Sequence, residues 1–383
     1  MKGYAVFTLF IIVIVLAFGS FDTNELNENA FITAIGVDTD KENKGYKLSL
    51  QILNPAAFSN NGQGKSPFYV YEKNNKYYGI TLSSLTEYIA RKVNISHIQV
   101  VVINEKLAKE KGIKNIIESL LRPPLYPYTI NVLMTKKNNA SDFMYMQTKI
   151  EPLSSREIAS HVRNLKQEAG TASPVYPGKL KGYMEREGRE AAVPVIDMNK
   201  NSKKGTKEKP SNDIMVNGLS LFRNDKPVAW INNDLSKIYY LMTNQLERTI
   251  LNAACSENGV FAMHVNSNKT KIKGEIIEKI PHFTIRTKIK GDLAESFCSN
   301  NTKRTDTIHA LEKQMANEIE SKIHKLISKT QKSKTDVIGF GELLKIQDNK
   351  GWKEIKDHWY THFNKAKFDI KVDVEIENVG DSL

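Results

Sequence analysis

Cysteine is nearly absent from this sequence: among 383 residues only Cys255 and Cys298 occur. Two thiols can build neither a disulfide framework nor a four-cysteine zinc site, and leave room for one bridge at most, Cys255 to Cys298. Long apolar runs are also missing after the first twenty residues. No later stretch approaches the roughly 18 uninterrupted apolar positions of a spanning helix, which excludes a polytopic membrane protein. The chain has 55 Lys and Arg against 43 Asp and Glu, a net charge of +12. With no helix-turn-helix, zinc-finger or RNA-binding aromatic signature beside it, that excess carries no nucleic-acid argument. It suits anionic lipid, acidic partners or solubility.

Catalytic and metal signatures fail one by one. Gly64-Lys65-Ser66 ends like a phosphate loop, but Ser59 stands where its first glycine belongs. The turn from Asp38 to Asn43 resembles a calcium loop only until Asn43 and Ser49, which replace the required glycine and bidentate glutamate. His358 and His362 share a helical face, yet Trp359 sits where a zinc hydrolase carries glutamate, and an exposed histidine pair is the simpler reading. The other histidines are scattered, and the carboxylates interleave with lysine on exposed faces without an acid–base signature. The chain reads as non-catalytic, with no cofactor, metal or nucleic-acid site.

What is present begins at the first residue. Lys2 and the terminal amine precede the uncharged run of residues 4–18, YAVFTLFIIVIVLAF, the pattern of an export signal. As a helix, residues 3–19 reach about 26 Å against a hydrocarbon core of about 30 Å, a short anchor at best. Ala17 and Gly19 are small where a signal peptidase needs them, placing a cleavage site after Gly19. The stretch also looks like a bacterial lipoprotein signal with Ser20 at the position of the lipid-bearing cysteine. A serine hydroxyl cannot supply the thioether that holds the lipid.

Downstream the periodicity is mixed. Residues 31–38 and 46–53 predict a hairpin, residues 97–104 and 128–135 buried strands, and residues 80–93 and 105–121 helices. Two helices are expected within 139–170 and a loop-rich stretch at 171–190, followed by the apolar AAVPVID at 191–197. Residues 199–213 hold five lysines and no apolar side chain apart from Pro210, and mark a linker. A hairpin turning at Asn224-Asp225 follows, then a helix from 233 to 245 and strands near 247–255, 258–266, 270–278 and 282–290. The longest helix begins near Asp306, with Ile308, Leu311, Met315, Ile319, Ile323, Leu326 and Ile327 on one stripe. Trp352, Ile355, Trp359 and Phe363 form a second stripe. In the last strand Phe368, Ile370, Val372, Val374 and Ile376 alternate with charged residues. The expected fold is α+β, mixed sheets with packed helices in three small domains in series. Its regions are a signal or anchor at 1–19, an N-terminal region at 20–198, the linker at 199–213 and a C-terminal region at 214–383.

Several short motifs follow one another along the chain: Phe21-Asp22 with Glu25-Leu26-Asn27, Ile35-Gly36-Val37-Asp38, Gln51-Ile52-Leu53-Asn54-Pro55 and Asn217-Gly218-Leu219 with Phe222-Arg223. Gly291-Asp292-Leu293 with Glu295, Asp336 with Gly339-Phe340-Gly341, and the Trp352, Trp359 and Phe363 helix complete the order. Over nearly the full chain this resembles the Ger(x)C family, the C subunits of bacterial spore germinant receptors. The resemblance implies a non-catalytic, cofactor-free protein at the outer face of the spore inner membrane. It also implies polytopic A-type and B-type subunits as partners. The chain departs from that family at Ser20, which replaces the lipidated cysteine, and at Phe21, where tryptophan is usual. An exported solute-binding protein is the alternative reading; two βαβ lobes around a cleft would mark it.

Overall fold

The computed structural model describes residues 28–40, 42, 44–59, 64–122, 126–199, 213–255, 259–298 and 304–379. Its first elements are β1 (Asn29–Thr39) and β2 (Tyr46–Leu53), paired antiparallel as the alternation of Tyr46, Leu48, Leu50 and Ile52 predicts. β3 (Phe68–Asn75) extends this hairpin, although its polar second half gives it no strand pattern in the sequence. α1 (Tyr78–Leu85), the short β4 (Lys92–Asn94) and β5 (Val100–Asn104) follow.

The helix expected over 105–121 is two helices, α2 (Glu105–Lys111) and α3 (Lys114–Leu120). Gly112 breaks it at a φ of 73°, and Asp225 reaches in from a distant turn to accept the Ile113 amide on its backbone carbonyl. The polypeptide continues through β6 (Asn131–Thr135), α4 (Ala140–Tyr145), α5 (Ser154–Asn164) and α6 (Pro177–Glu185). α6 lies inside the stretch read as loop-rich; Pro177 in its first turn is a helix-start signal there, not a breaker. β7 (Ala192–Asn199), β8 (Asp213–Arg223) and β9 (Lys226–Ile231) complete the first sheet.

Strand order in that sheet is β3-β2-β1-β5-β6-β7-β8-β9, with β4 beside β1. Its centre, from β1 through β5 and β6 to β7, is parallel, and antiparallel strands flank it on both sides. Central parallel strands are covered on both faces, which explains uninterrupted apolar runs such as Val100-Val101-Val102-Ile103. α1, α2, α3 and α6 cover one face and α4 and α5 the other.

The second half starts with α7 (Asn233–Met242), whose Asn232 side chain accepts the Leu235 amide as an N-cap. β10 (Thr249–Ala254), β11 (Val260–Ile277) and β12 (Ile280–Ser296) lead to α8 (Thr305–Lys332). The last elements are α9 (Phe340–Gln347), α10 (Asn349–Ile355), α11 (Trp359–Asn364) and β13 (Lys367–Asn378). They form a second sheet in the order β10-β11-β12-β13, with β13 parallel to β12. The strands expected at 258–266 and 270–278 are one strand, because the register slips at Val265/Ser267 through a bulge without ending the ladder. Leu311, Met315, Ile319, Ile323, Leu326 and Ile327 of α8 are buried as the stripe predicts, with Ile308 partly buried beside them.

Sheet membership does not divide where composition does. β7 and β8 flank the lysine-rich stretch and pair with each other, Ile196 opposite Val216 and Asn199 opposite Asp213. Residues 213–231 therefore belong to the first sheet, and the two sheets part only between Ile231 and Thr249. At the same time Leu219, Leu221 and Ile231 enter the core of the second half. A polar, charged composition reports exposure of the chain; hydrogen bonding between its flanks decides which sheet they join. Among the described residues no helix is long and apolar enough to cross a membrane, and residues 1–19, expected to be a signal or anchor, lie outside them.

Candidate functional site

Among the described residues, several of the sequence motifs turn out to be fasteners, while Phe21-Asp22 and Glu25-Leu26-Asn27 lie outside them. Gly36 lets α4 approach β1 so closely that a Cβ there would sit 3.0 Å from the Ala140 carbonyl carbon. Two residues on, the buried Asp38 carboxylate accepts the Ala140 and Ser141 amides at 2.7 and 2.8 Å, closing the start of α4. Burial pushes the Asp38 carboxyl up, and those two amides oppose the rise. Gln51 is fully buried; its amide donates to the Met144 carbonyl and the Ser154 hydroxyl, and its oxygen accepts from Thr33. Asn217 ties β8 to β7 through Asp197, and its carbonyl accepts the Trp230 indole N–H.

A polar cluster around Asp336 joins the two halves. Asp336, 1% exposed, accepts the amides of Gly339 and Phe340 on one oxygen and of Gly341 on the other, at 2.8 to 3.0 Å. Burial pushes its pKa up to about 6, while the three amides restrain the rise. The loop they shape lies against residues 186–190, which precede β7. Glu190 donates its amide to the Asp336 carbonyl, and Glu342 donates its amide to the Gly188 carbonyl. Gly188, at a φ of 75°, leaves no space for a side chain: a Cβ would stand 2.5 Å from the Gly341 carbonyl carbon.

Charged side chains reinforce the seam. Glu342 holds Arg186 and Arg189, each at 3.0 Å, and Glu187 faces Lys345 and Lys356 at 3.1 and 3.6 Å. Burial works against the Arg189 charge, but Tyr183 and Glu342 outweigh it and keep the guanidinium above its ordinary value. The Tyr360 hydroxyl donates to Glu190, whose second oxygen accepts the Asn224 amide. Burial raises the Glu190 carboxyl against these two bonds, and raises the Tyr360 hydroxyl with the Glu190 charge adding to it. Arg223 stacks on the Tyr360 ring, its guanidinium carbon 4.7 Å from the ring centre.

Beside this seam opens a groove of about 730 Å³, lined by Arg223, Lys332, Lys334, Lys356 and Lys365, with Asp357 as its carboxylate. Lys332 sits in the last turn of α8, where a cation complements the helix dipole, and Lys356 already meets Glu187. His358 faces the groove, while the His362 ring contacts the Lys279 carbonyl at 2.8 Å. Among the described residues no three His, Cys, Asp or Glu side chains gather as metal ligands. Within the seam the Tyr360 hydroxyl donates to Glu190 across the two halves, and this bond, like the others, holds two sheets in one relation.

Of the sequence-derived candidates, Cys255 and Cys298 are bonded, with Cα atoms 6.0 Å apart, joining the ends of β10 and β12. Ser20 lies outside the described residues. Arg189, Glu190, Tyr360 and Glu342 were not legible as a group, because the members of their contacts stand 153 to 170 positions apart. The Gly339-Phe340-Gly341 run after Asp336 was the one local signal.

With this arrangement established, likeness to known proteins decides the family. A model described as spore germination protein N-terminal domain matches residues 22–198, and one described as spore germination B3/GerAC like, C-terminal, matches 217–380. The chain belongs to the Ger(x)C family. Relatives in Bacillus subtilis (strain 168) include spore germination protein KC, 24% identical over 97% of this chain and 95% of the relative. Spore germination protein B3 is 21% identical over 99% of both chains. The crystal structure of the GerBC protein superposes with a TM-score of 0.57 and 18% identity, covering 90% of this chain and 97% of that one. That likeness shows the shared Ger(x)C fold, mixed sheets with packed helices. Membership assigns the chain a role in spore germination, and the motifs at Gly36-Val37-Asp38, Gln51, Asn217 and Asp336 that help carry the resemblance are the fasteners described above.

Proposed function

We propose that this Ger(x)C chain is a non-catalytic, membrane-associated subunit of a nutrient germinant receptor. It acts with polytopic A-type and B-type subunits at the outer face of the spore inner membrane. The observation that carries this reading is the tandem match of both family models along one chain. The interior seam supports it, since the buried charges of Asp336, Arg189 and Glu190 are spent on joining two sheets. Spores lacking the chain are expected to lose the response to one class of nutrient and to regain it on complementation. The two polytopic subunits should copurify with the chain from detergent-solubilised spore membranes. An unchanged nutrient response would overturn the assignment. Tight calorimetric binding of an amino acid or sugar by the full chain alone would favour the solute-binding alternative.

The tether and the disulfide belong to the same proposal. Ser20 removes the thioether on which a lipid would sit, so the uncleaved apolar segment at 4–18 serves as anchor. The Cys255–Cys298 bond suits an exported chain, which folds outside the reducing cytosol. Intact-mass spectrometry of the protein extracted from spore membranes tests both. The expected mass is the full chain less the two hydrogens of one disulfide; a soluble chain starting at Ser20, or two free thiols, would refute the corresponding half.

A further inference from the structure

The second sheet has one face packed under α8 and one face that no described element covers. On that second face, β11 presents Lys269, Lys271 and Lys273 and β12 presents Arg286, Lys288 and Lys290, all exposed. Register makes the arrangement unusual. Lys269 stands directly opposite Lys288, and Lys271 opposite Arg286, which in turn stands opposite Lys371 of β13. Like charges directly opposite one another oppose sheet pairing. The carboxylates of β13 relieve part of this: Asp369 takes Arg286 at 2.7 Å, Glu375 takes Lys290 at 2.8 Å, and Asp373, opposite Lys288 in the register, lies 3.8 Å from Lys371. Among the described residues no carboxylate reaches Lys269, Lys271, Lys273 or Lys288 as an ion pair.

Protection of a free strand edge accounts for lysines on β11, whose second half has no β10 partner. It does not account for Lys288, which lies on an inner strand. We propose that this cationic sheet face docks on an anionic lipid surface, with headgroup phosphates supplying the missing negative charge. Two features favour lipid over an acidic protein. The patch has no large apolar side chain at its centre, and its unpaired cations are all lysine. Protein interfaces are depleted in lysine and centre on aromatic anchors, whereas juxtamembrane lysines each add to binding on anionic bilayers. The proposal does not rest on the receptor assignment, because it requires only an anionic bilayer.

The test uses the full chain reconstituted in phosphatidylcholine vesicles with or without phosphatidylglycerol, so that the apolar N-terminal segment is present equally in both. Amine acylation is then followed lysine by lysine by mass spectrometry. Acylation of Lys269, Lys271, Lys273 and Lys288 should slow by about threefold or more on the phosphatidylglycerol vesicles, and recover at high salt, as a screened surface contact requires. In a K269Q/K271Q/K288Q chain the protection of Lys273 should vanish. Its thermal midpoint should not fall, since the substitutions relieve like-charge pairs. Equal acylation on both vesicle types overturns the proposal. So does protection that appears only when an acidic polypeptide such as polyglutamate is added, which would make the face a protein site.

Discussion

Asp336 shows how a single residue can look like chemistry and be architecture. Its carboxylate is buried and its pKa is raised to about 6, features that often mark a catalytic acid. Three backbone amides and no solvent-facing partner give it a different role, that of shaping the loop before α9. Because the folded value lies above the ordinary value of 3.8, the folded state binds the proton more tightly than the unfolded chain. This group's contribution is therefore largest below about pH 4 and declines as pH rises through about 6. Comparing urea unfolding of the wild type with Asp336→Asn, which cannot titrate, the wild type should gain about 1 kcal/mol relative to the variant between pH 7 and pH 5. A difference that stays constant with pH would show that the carboxyl is not held in the environment described.

At the scale of elements, the second half of β11 solves an edge problem with side chains. Thr270 donates its amide to the Asn244 side-chain oxygen and accepts the Asn244 side-chain amide on its carbonyl, at 2.8 and 2.9 Å. Further along, Gln347 accepts the Gly274 amide at 2.8 Å and Asp348 accepts that of Ile276 at 3.0 Å. These carboxamides and one carboxylate occupy ladder positions that would otherwise invite another strand. Asn244→Ala should raise hydrogen exchange at Thr270 about fivefold, corresponding to loss of a bond worth about 1 kcal/mol, while β12 amides stay protected. Unchanged exchange at Thr270 would mean that this capping contributes nothing to the edge.

The molecule as a whole is organised around the seam between its sheets. Glu342 carries two arginines, of which Arg189 keeps 20% of its side-chain surface exposed. Glu342→Ala leaves that guanidinium without its carboxylate and should cost about 2 kcal/mol, less than a fully buried pair because water still reaches the site. Leu219, Leu221 and Ile231 of the first sheet sit in the core of the second, so the loss should be felt on both sides of the seam. Hydrogen exchange of β5 and β12 amides along a urea series should show both strands weakened together in the variant. Loss of protection confined to one sheet would show that the halves unfold independently.

By itself, the sequence determined the elements whose pattern is local. The alternation of β2 and β13 and the stripe of α8 each bury one face and wet the other, so side-chain period alone reveals them. The order of short motifs carried the family, because backbone fasteners such as Gly36, Asp38, Gln51 and Asp336 tolerate few other residues. Tertiary structure decided what depends on distant partners. The break at Gly112 needed Asp225, the continuity of β11 needed the ladder with β12, and the lysine-rich stretch proved to lie between two strands of one sheet. The seam of Arg189, Glu190, Glu342 and Tyr360 was invisible for the same physical reason. Hydrogen bonds and ion pairs act over a few ångströms in space, and no periodicity records which remote residues folding will bring within that reach.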